Sequence, residues 1–143
     1  MLSEDDLEQQ SLQWFAELGW EVLHGPDIAP DGNNPLRASF HDVFLRPVLL
    51  EQLQKINPHL PVAVLDEVIL LIAHAQSPDL VVSNKAFHHL LLDGVPVQYK
   101  QDDKVIHDKA LLMDFNHPNN NHFTVVNQVA IQGTKQVRRP DVI

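Results

Sequence analysis

Asp141 stands at the end of the run Arg138-Arg139-Pro140-Asp141, which reads as the start of a strand. A carboxylate beside two guanidinium groups suits metal-assisted chemistry on a phosphate, the acid holding a cation and the arginines meeting the anion. Mg²⁺ is hard and takes oxygen ligands, typically one or two carboxylates with waters and phosphate oxygens, so Asp141 cannot hold it alone. Its partners are expected from a neighbouring strand. Glu8 is the second candidate acid. It lies in line with Leu12 and Phe15 at helical spacing, bordering an apolar face, a place that also suits a solvated rim carboxylate. Lys135, Arg138 and Arg139 are three of only ten Lys and Arg residues in a chain of net charge −9. That acidic bulk argues against a whole-surface nucleic-acid binder. The basic end reads either as a local anion-facing patch or as a strand edge guarded by positive charge.

Other chemistries lack their signatures. Nine histidines invite zinc, but His88-His89 are adjacent, diverging by about 100° on a helix, and HExxH is absent. His117 and His122 flank a loop and read as turn or surface residues. Neither GxxxxGK[ST] nor GxGxxG occurs among the five glycines, and GxSxG is missing. The chain has no cysteine, which excludes disulfides and thiolate metal sites and fits a cytoplasmic protein. No stretch approaches a membrane span, and Met1-Leu2-Ser3-Glu4-Asp5-Asp6 is acidic where a signal peptide would be basic.

The elements that must position these residues follow in order. Ser3 is an expected N-cap for a helix with acids in its first turn, Leu7, Trp14, Phe15 and Leu18 on its apolar face, and a stop at Gly19. Trp20 to His24 reads as a short strand and Gly25 to Pro35 as a turn-rich loop. Helices are expected from Pro47 to Ile56, through VAVLDEVILLIAHA after Pro61, and from an Asp79 cap to Gly94. Val95 to Tyr99 is an edge-type strand because of Pro96, and Gln101 to Lys104 a polar connector. Val105 to Phe115 and Phe123 to Ile131 are expected as two strands of a hairpin across NHPNNNH, followed by a third strand bearing Asp141. With 143 residues and no internal repeat, one α/β unit with a mixed sheet flanked by helices is expected.

LEQQSLQWFAELGWEV, LLEQLQKINP and above all MDFNHPNNNHFTVVNQVAIQG followed by RRPD resemble the start of the restriction subunit of type I restriction–modification enzymes. The similarity runs along nearly the whole chain, and DF-x-x-P-x-N-N-x-F-x-VVNQ with a following RRPD is its most specific part. The resemblance implies an endonuclease domain of the PD-(D/E)xK type, followed in the family by two ATP-dependent motor domains and a helical region. It makes Asp141 the motif's first acid and a ligand of catalytic Mg²⁺, and matches Glu8 to the family's acid on the first helix. The family's Glu-x-Lys has no counterpart in residues 1–143, nor do the ATP-binding motifs. The chain is therefore expected to be the amino-terminal piece of a larger protein, its nuclease domain incomplete.

For that larger protein the resemblance implies ATP-driven translocation and hydrolysis of double-stranded DNA, alongside separate modification and specificity subunits. Lys135, Arg138 and Arg139 are expected DNA contacts on charge alone. Two other readings stay open: a non-catalytic module that docks partner subunits or binds DNA, motivated by the apolar middle helices, and a nuclease fused to a different DNA motor.

Overall fold

The computed structural model describes residues 3–74 and 77–143. It forms two units where the sequence suggested one: a unit built from residues up to Arg46 together with His122–Ile143, and a unit of Pro47–Asn121. Helices and strands mix throughout, as expected of an α/β chain, but among the described residues the strands form three two-stranded sheets rather than one mixed sheet.

In the first unit, helix α1 (Glu4–Glu17) opens with a capping box. The Ser3 hydroxyl accepts the Asp6 N–H at 3.1 Å and the Asp6 carboxylate accepts the Ser3 N–H at 2.8 Å. The helix ends at Leu18, and Gly19 turns the chain at φ +85°. Its rotation differs from the expected one. Leu7, Trp14 and Leu18 are exposed, whereas Leu12 is buried and Phe15 and Glu8 are half-buried. The inward line is thus Glu8–Leu12–Phe15. A run of three rings fixes it: Phe15 packs tilted against Trp20 at 4.9 Å between ring centres, and Trp20 stacks on Phe123 at 5.1 Å.

Strand β1 (Glu21–His24) is followed at once by a short helix α2 (Gly25–Ile28), which takes the first part of the expected loop. β1 pairs in parallel with a strand from near the other end of the chain, Thr124–Asn127, in the register Glu21 to Thr124 and His24 to Asn127. The expected hairpin with residues 105–115 does not form. Lys104–Ala110 pairs with Val95–Gln101 instead, and both edges of Thr124–Asn127 are taken, by Glu21–His24 and by the terminal segment. Asn121 closes the connecting loop on Asp114: its Oδ1 accepts the Asp114 N–H and its Nδ2 donates to the Asp114 carbonyl, both at 2.8 Å. Alternation identifies a strand but not its partner.

The expected strand from Phe123 to Ile131 is also broken. It stops at Asn127, Gln128 adopts φ +53°, and Ile131–Gln132 begin a separate small ladder with Val137–Arg138. The terminal segment then runs back antiparallel to Thr124–Asn127. Val126 and Ile143 exchange N–H to carbonyl bonds at 2.8 Å, and the Gln128 N–H donates to the Asp141 carbonyl at 3.0 Å. Phe123 bonds toward β1 while Val126 and Gln128 bond the terminal segment, and successive backbone groups of a strand point to opposite edges. Thr124–Asn127 is therefore gripped from both sides. Ile28, Val126 and Val129 form the buried centre, with Leu23, Leu36, Leu45 and Ile131 against it. Arg37 is buried and donates to the carbonyls of Phe40, Asp42 and Ala130 at 2.8–2.9 Å, tying the loop at 37–42 to the chain after Asn127.

The second unit carries helices α3 (Arg46–Ile56, its first residue in the other unit), α4 (Val62–Ala73) and α5 (Leu80–Asp93), then a hairpin of β2 (Val95–Gln101) and β3 (Lys104–Ala110). The expected helix after Pro61 is α4; the last residue of its apolar run, Ala75, lies outside the described residues. Asp102 and Asp103, at φ 48° and 60°, make the tight two-residue turn that matches strand twist. Asp79 caps α5 through the N–H groups of Val81 and Val82, and Gly94 ends it at φ +81°. Buried Asn57 holds α3 to the chain after β3, its amide bonding both N–H and carbonyl of Leu111. The remaining strands are labelled in chain order: β4 (Thr124–Asn127), β5 (Ile131–Gln132) and β6 (Val137–Arg138). Among the described residues no helix is long and apolar enough to cross a membrane.

Candidate active site

Glu8 and Asp141, the two candidate acids, meet in the first unit through one amide. Gln128 Nε2 donates to Glu8 Oε2 at 2.7 Å and reaches Asp141 Oδ1 at 3.3 Å. The two carboxylate oxygens can be no farther apart than those two contacts laid end to end. The second oxygen of Glu8 is also engaged, accepting from Asn127 Nδ2 at 2.7 Å. Asn127 is buried, Glu8 and Gln128 are half-buried, and Asp141 is exposed. The pair thus sits at the boundary between core and solvent, open to a substrate on the Asp141 side.

Three structural facts place these groups. The rotation of α1 turns Glu8 inward. Backbone pairing of the terminal segment with β4 delivers Asp141 opposite Gln128. The third is the break at Gln128. In a regular strand, neighbouring side chains point to opposite faces, so Asn127 and Gln128 could not both reach one carboxylate. The left-handed backbone of Gln128 cancels that alternation and brings both amides to Glu8. Gly25 makes the turn possible on the other side: a Cβ there would run into the carbonyl oxygens of Asn127 and Gln128.

The oxygen-rich donor set fits a hard divalent cation. Glu8 and Asp141 supply two carboxylates, and the Gln128 amide presents its oxygen when turned about its terminal bond. Among the described residues no group of three or more His, Cys, Asp or Glu side chains is placed to hold a metal, so two carboxylates are the whole acidic contribution here. Of the histidines weighed for zinc, His117 lies 3.6 Å from Asp114 and His122 lies 2.6 Å from Glu21, each paired with an acid.

The three expected cations gather nearby in sequence and in space. Lys135, Arg138 and Arg139 line one groove of about 680 Å³ with Ile131, Thr134 and Pro140, and its lining contains no carboxylate. All three are exposed. Such a groove attracts an anion, and Pro140 connects it directly to Asp141. Residue reasoning missed Asn127, Gln128 and His24, whose Nδ1 lies 2.8 Å from Asn127 Oδ1. The first two stand in the VVNQ run that carries the family resemblance, which was the available signal.

The chain belongs to the family described as type I restriction enzyme R protein N terminus, whose model matches residues 1–143. It is 38% identical over 144 residues to the type I restriction enzyme HindI endonuclease subunit of Haemophilus influenzae. It is 28% identical over 146 residues to a candidate type I restriction enzyme endonuclease subunit, MjaIXP, of Methanocaldococcus jannaschii. These alignments cover 100% and 99% of the chain but only 14% of each relative. No solved structure matches it.

Proposed function

We propose that this chain is the nuclease region of a type I restriction endonuclease subunit, cutting double-stranded DNA by Mg²⁺-assisted phosphodiester hydrolysis. The observation that carries the reading is the meeting of Glu8, Gln128 and Asp141, distant in sequence, at one solvent-facing point. Asp141 serves as a metal ligand, Glu8 as the second acid, and the Lys135–Arg138–Arg139 groove holds the DNA backbone beside them. Bound Mg²⁺ would polarise the scissile phosphate and lower the pKa of a water. The chain's own residues orient the acids, offset phosphate charge and leave the Asp141 side open to DNA.

The PD-(D/E)xK assignment adds that a Glu-x-Lys strand from further sequence completes the site. Sequencing the reading frame past Ile143 tests this: a following strand without Glu and Lys contradicts it. ATP-driven translocation, cooperation with modification and specificity subunits, and a cytoplasmic location are proposed for the larger subunit that the relatives' lengths indicate. In that subunit Asp141→Ala is expected to abolish DNA cleavage while ATP hydrolysis continues; cleavage at the normal rate refutes the role given to Asp141. One observation favours a second reading, a docking module for the partner subunits: α5 buries none of its residues and leaves Leu80, Val81 and Leu92 exposed. Failure of the folded chain to retain the modification–specificity complex in a pull-down counts against it.

A further inference from the structure

His24 has no part in the reading above, yet it closes a chain of polar contacts that ends on Glu8. Asn127 is 5% exposed and uses both ends of its amide. Nδ2 donates to Glu8 Oε1 at 2.7 Å, and Oδ1 sits 2.8 Å from His24 Nδ1. An ionised carboxylate only accepts hydrogen bonds, so the Asn127 NH₂ must face Glu8 and its oxygen must face the ring. An amide oxygen only accepts as well. The proton therefore lies on His24 Nδ1, on a residue that is itself exposed.

We propose that His24 is a positioning residue for the acidic site: acting through Asn127, it fixes the Glu8 carboxylate in the orientation that meets Gln128 and Asp141. The inference rests on the metal-site reading of Glu8 and Asp141. Without the His24 N–H, the buried Asn127 oxygen loses its partner and the amide loses the bond that fixes its plane against Glu8. Glu8 would then keep its Gln128 contact but hold a looser one to Asn127. The surrounding backbone serves the same end. Gly25, next to His24, lets Asn127 and Gln128 approach, and Gln128 holds a left-handed conformation. Hydrogen-bonded groups behind a ligand carboxylate tune metal affinity about ten- to a hundredfold in known sites.

The test uses the complete subunit with His24→Phe, which keeps the ring and removes the donor, and His24→Asn, which returns an N–H near the Nδ1 position. Mn²⁺ binding without DNA is measured by calorimetry, and the Mg²⁺ dependence of plasmid cleavage beside it, with ATP hydrolysis reporting an intact protein. His24→Phe is expected to weaken Mn²⁺ binding and raise the half-saturating Mg²⁺ concentration about tenfold, with most of the cleavage rate recovered at saturating Mg²⁺. His24→Asn is expected to recover the greater part of both affinities. Wild-type affinities in His24→Phe, or equal losses in the two variants, overturn the inference. Asp141→Ala run alongside separates the two levels. Normal cleavage and Mn²⁺ binding by that variant overturn the metal-site reading and this inference with it. Their loss there, with His24→Phe unchanged, overturns the inference alone.

Discussion

Gln128 offers the sharpest test of how the site is built, because its backbone and its side chain contribute in opposite directions. Its φ of +53° is a region that costs an L-residue about 1–2 kcal/mol and costs glycine almost nothing. Its amide gives Glu8 a bond of 2.7 Å and Asp141 a longer contact of 3.3 Å. Hydrogen bonds to charged groups contribute about 1.5–3 kcal/mol, and the half-exposed setting with one long contact puts the amide near the low end, about 2 kcal/mol in all. Gln128→Ala keeps the strain and loses the amide, so it should destabilise by about 2 kcal/mol. Gln128→Gly loses the same amide but releases the strain, so it should be about 1 kcal/mol more stable than Gln128→Ala. That ranking reverses the usual preference for alanine. Urea unfolding followed by tryptophan fluorescence is the assay, since both tryptophans, Trp14 and Trp20, lie in the unit that holds the site. With a urea slope of about 1–2 kcal/mol/M, the midpoints of the two variants should differ by about 0.5–1 M. If the alanine variant is as stable as the glycine variant, the left-handed turn at Gln128 does not exist as described. The explanation of how two successive amides reach Glu8 then falls with it.

Two further outcomes follow from other parts of the molecule. Replacing Lys135, Arg138 and Arg139 together by Gln should lower the slope of log affinity for DNA against log salt by about 2–3, one counterion being released per lost phosphate contact; an unchanged slope removes the groove from the DNA path. The Asp114 carboxyl is held below its ordinary value, first by the Asn120 side chain and then by the His117 N–H. A carboxyl depressed in the folded state stabilises fully above its unfolded value of about 4 and loses that contribution as pH falls through its lower folded value. Protection of the His117 amide against hydrogen exchange should therefore be constant above about pH 5 and decline below about pH 4. Asp114→Asn should remove that pH dependence, and an equally steep acid loss in the variant rules out Asp114 as its source.

Local signals in the sequence located most elements. Ser3 and Asp79 cap the helices predicted to start there, and Gly19 and Gly94 take positive φ where helices were expected to end. These features depend on neighbours a few residues away, so they survive any arrangement of the rest. Pairing does not. Alternation at Thr124–Asn127 is equally compatible with a hairpin and with a parallel partner a hundred residues earlier. What excluded the hairpin was the choice of partners: Lys104–Ala110 pairs with Val95–Gln101, and Glu21–His24 and the terminal segment take both edges of Thr124–Asn127, none of which hydrophobic period encodes. The rotation of α1 failed for a related reason: Leu7, Trp14 and Leu18 form as good a stripe as Leu12 and Phe15. The tilted contact of Phe15 with Trp20, and the stacking of Trp20 on Phe123, decide between them.

The same rotation decides which groups Glu8 meets. Had α1 buried Leu7 and Trp14, Glu8 would have been the solvated rim carboxylate that its sequence position equally allowed. Turned inward, it meets two amides from a strand whose regular geometry could have offered only one. At Gln128 the broken strand keeps an L-residue in a left-handed conformation that costs about 1–2 kcal/mol, and the amide it positions joins Glu8 to Asp141. Backbone strain kept at a solvent-facing point where two acids meet is the geometric support for the proposed cation site, beside the family match.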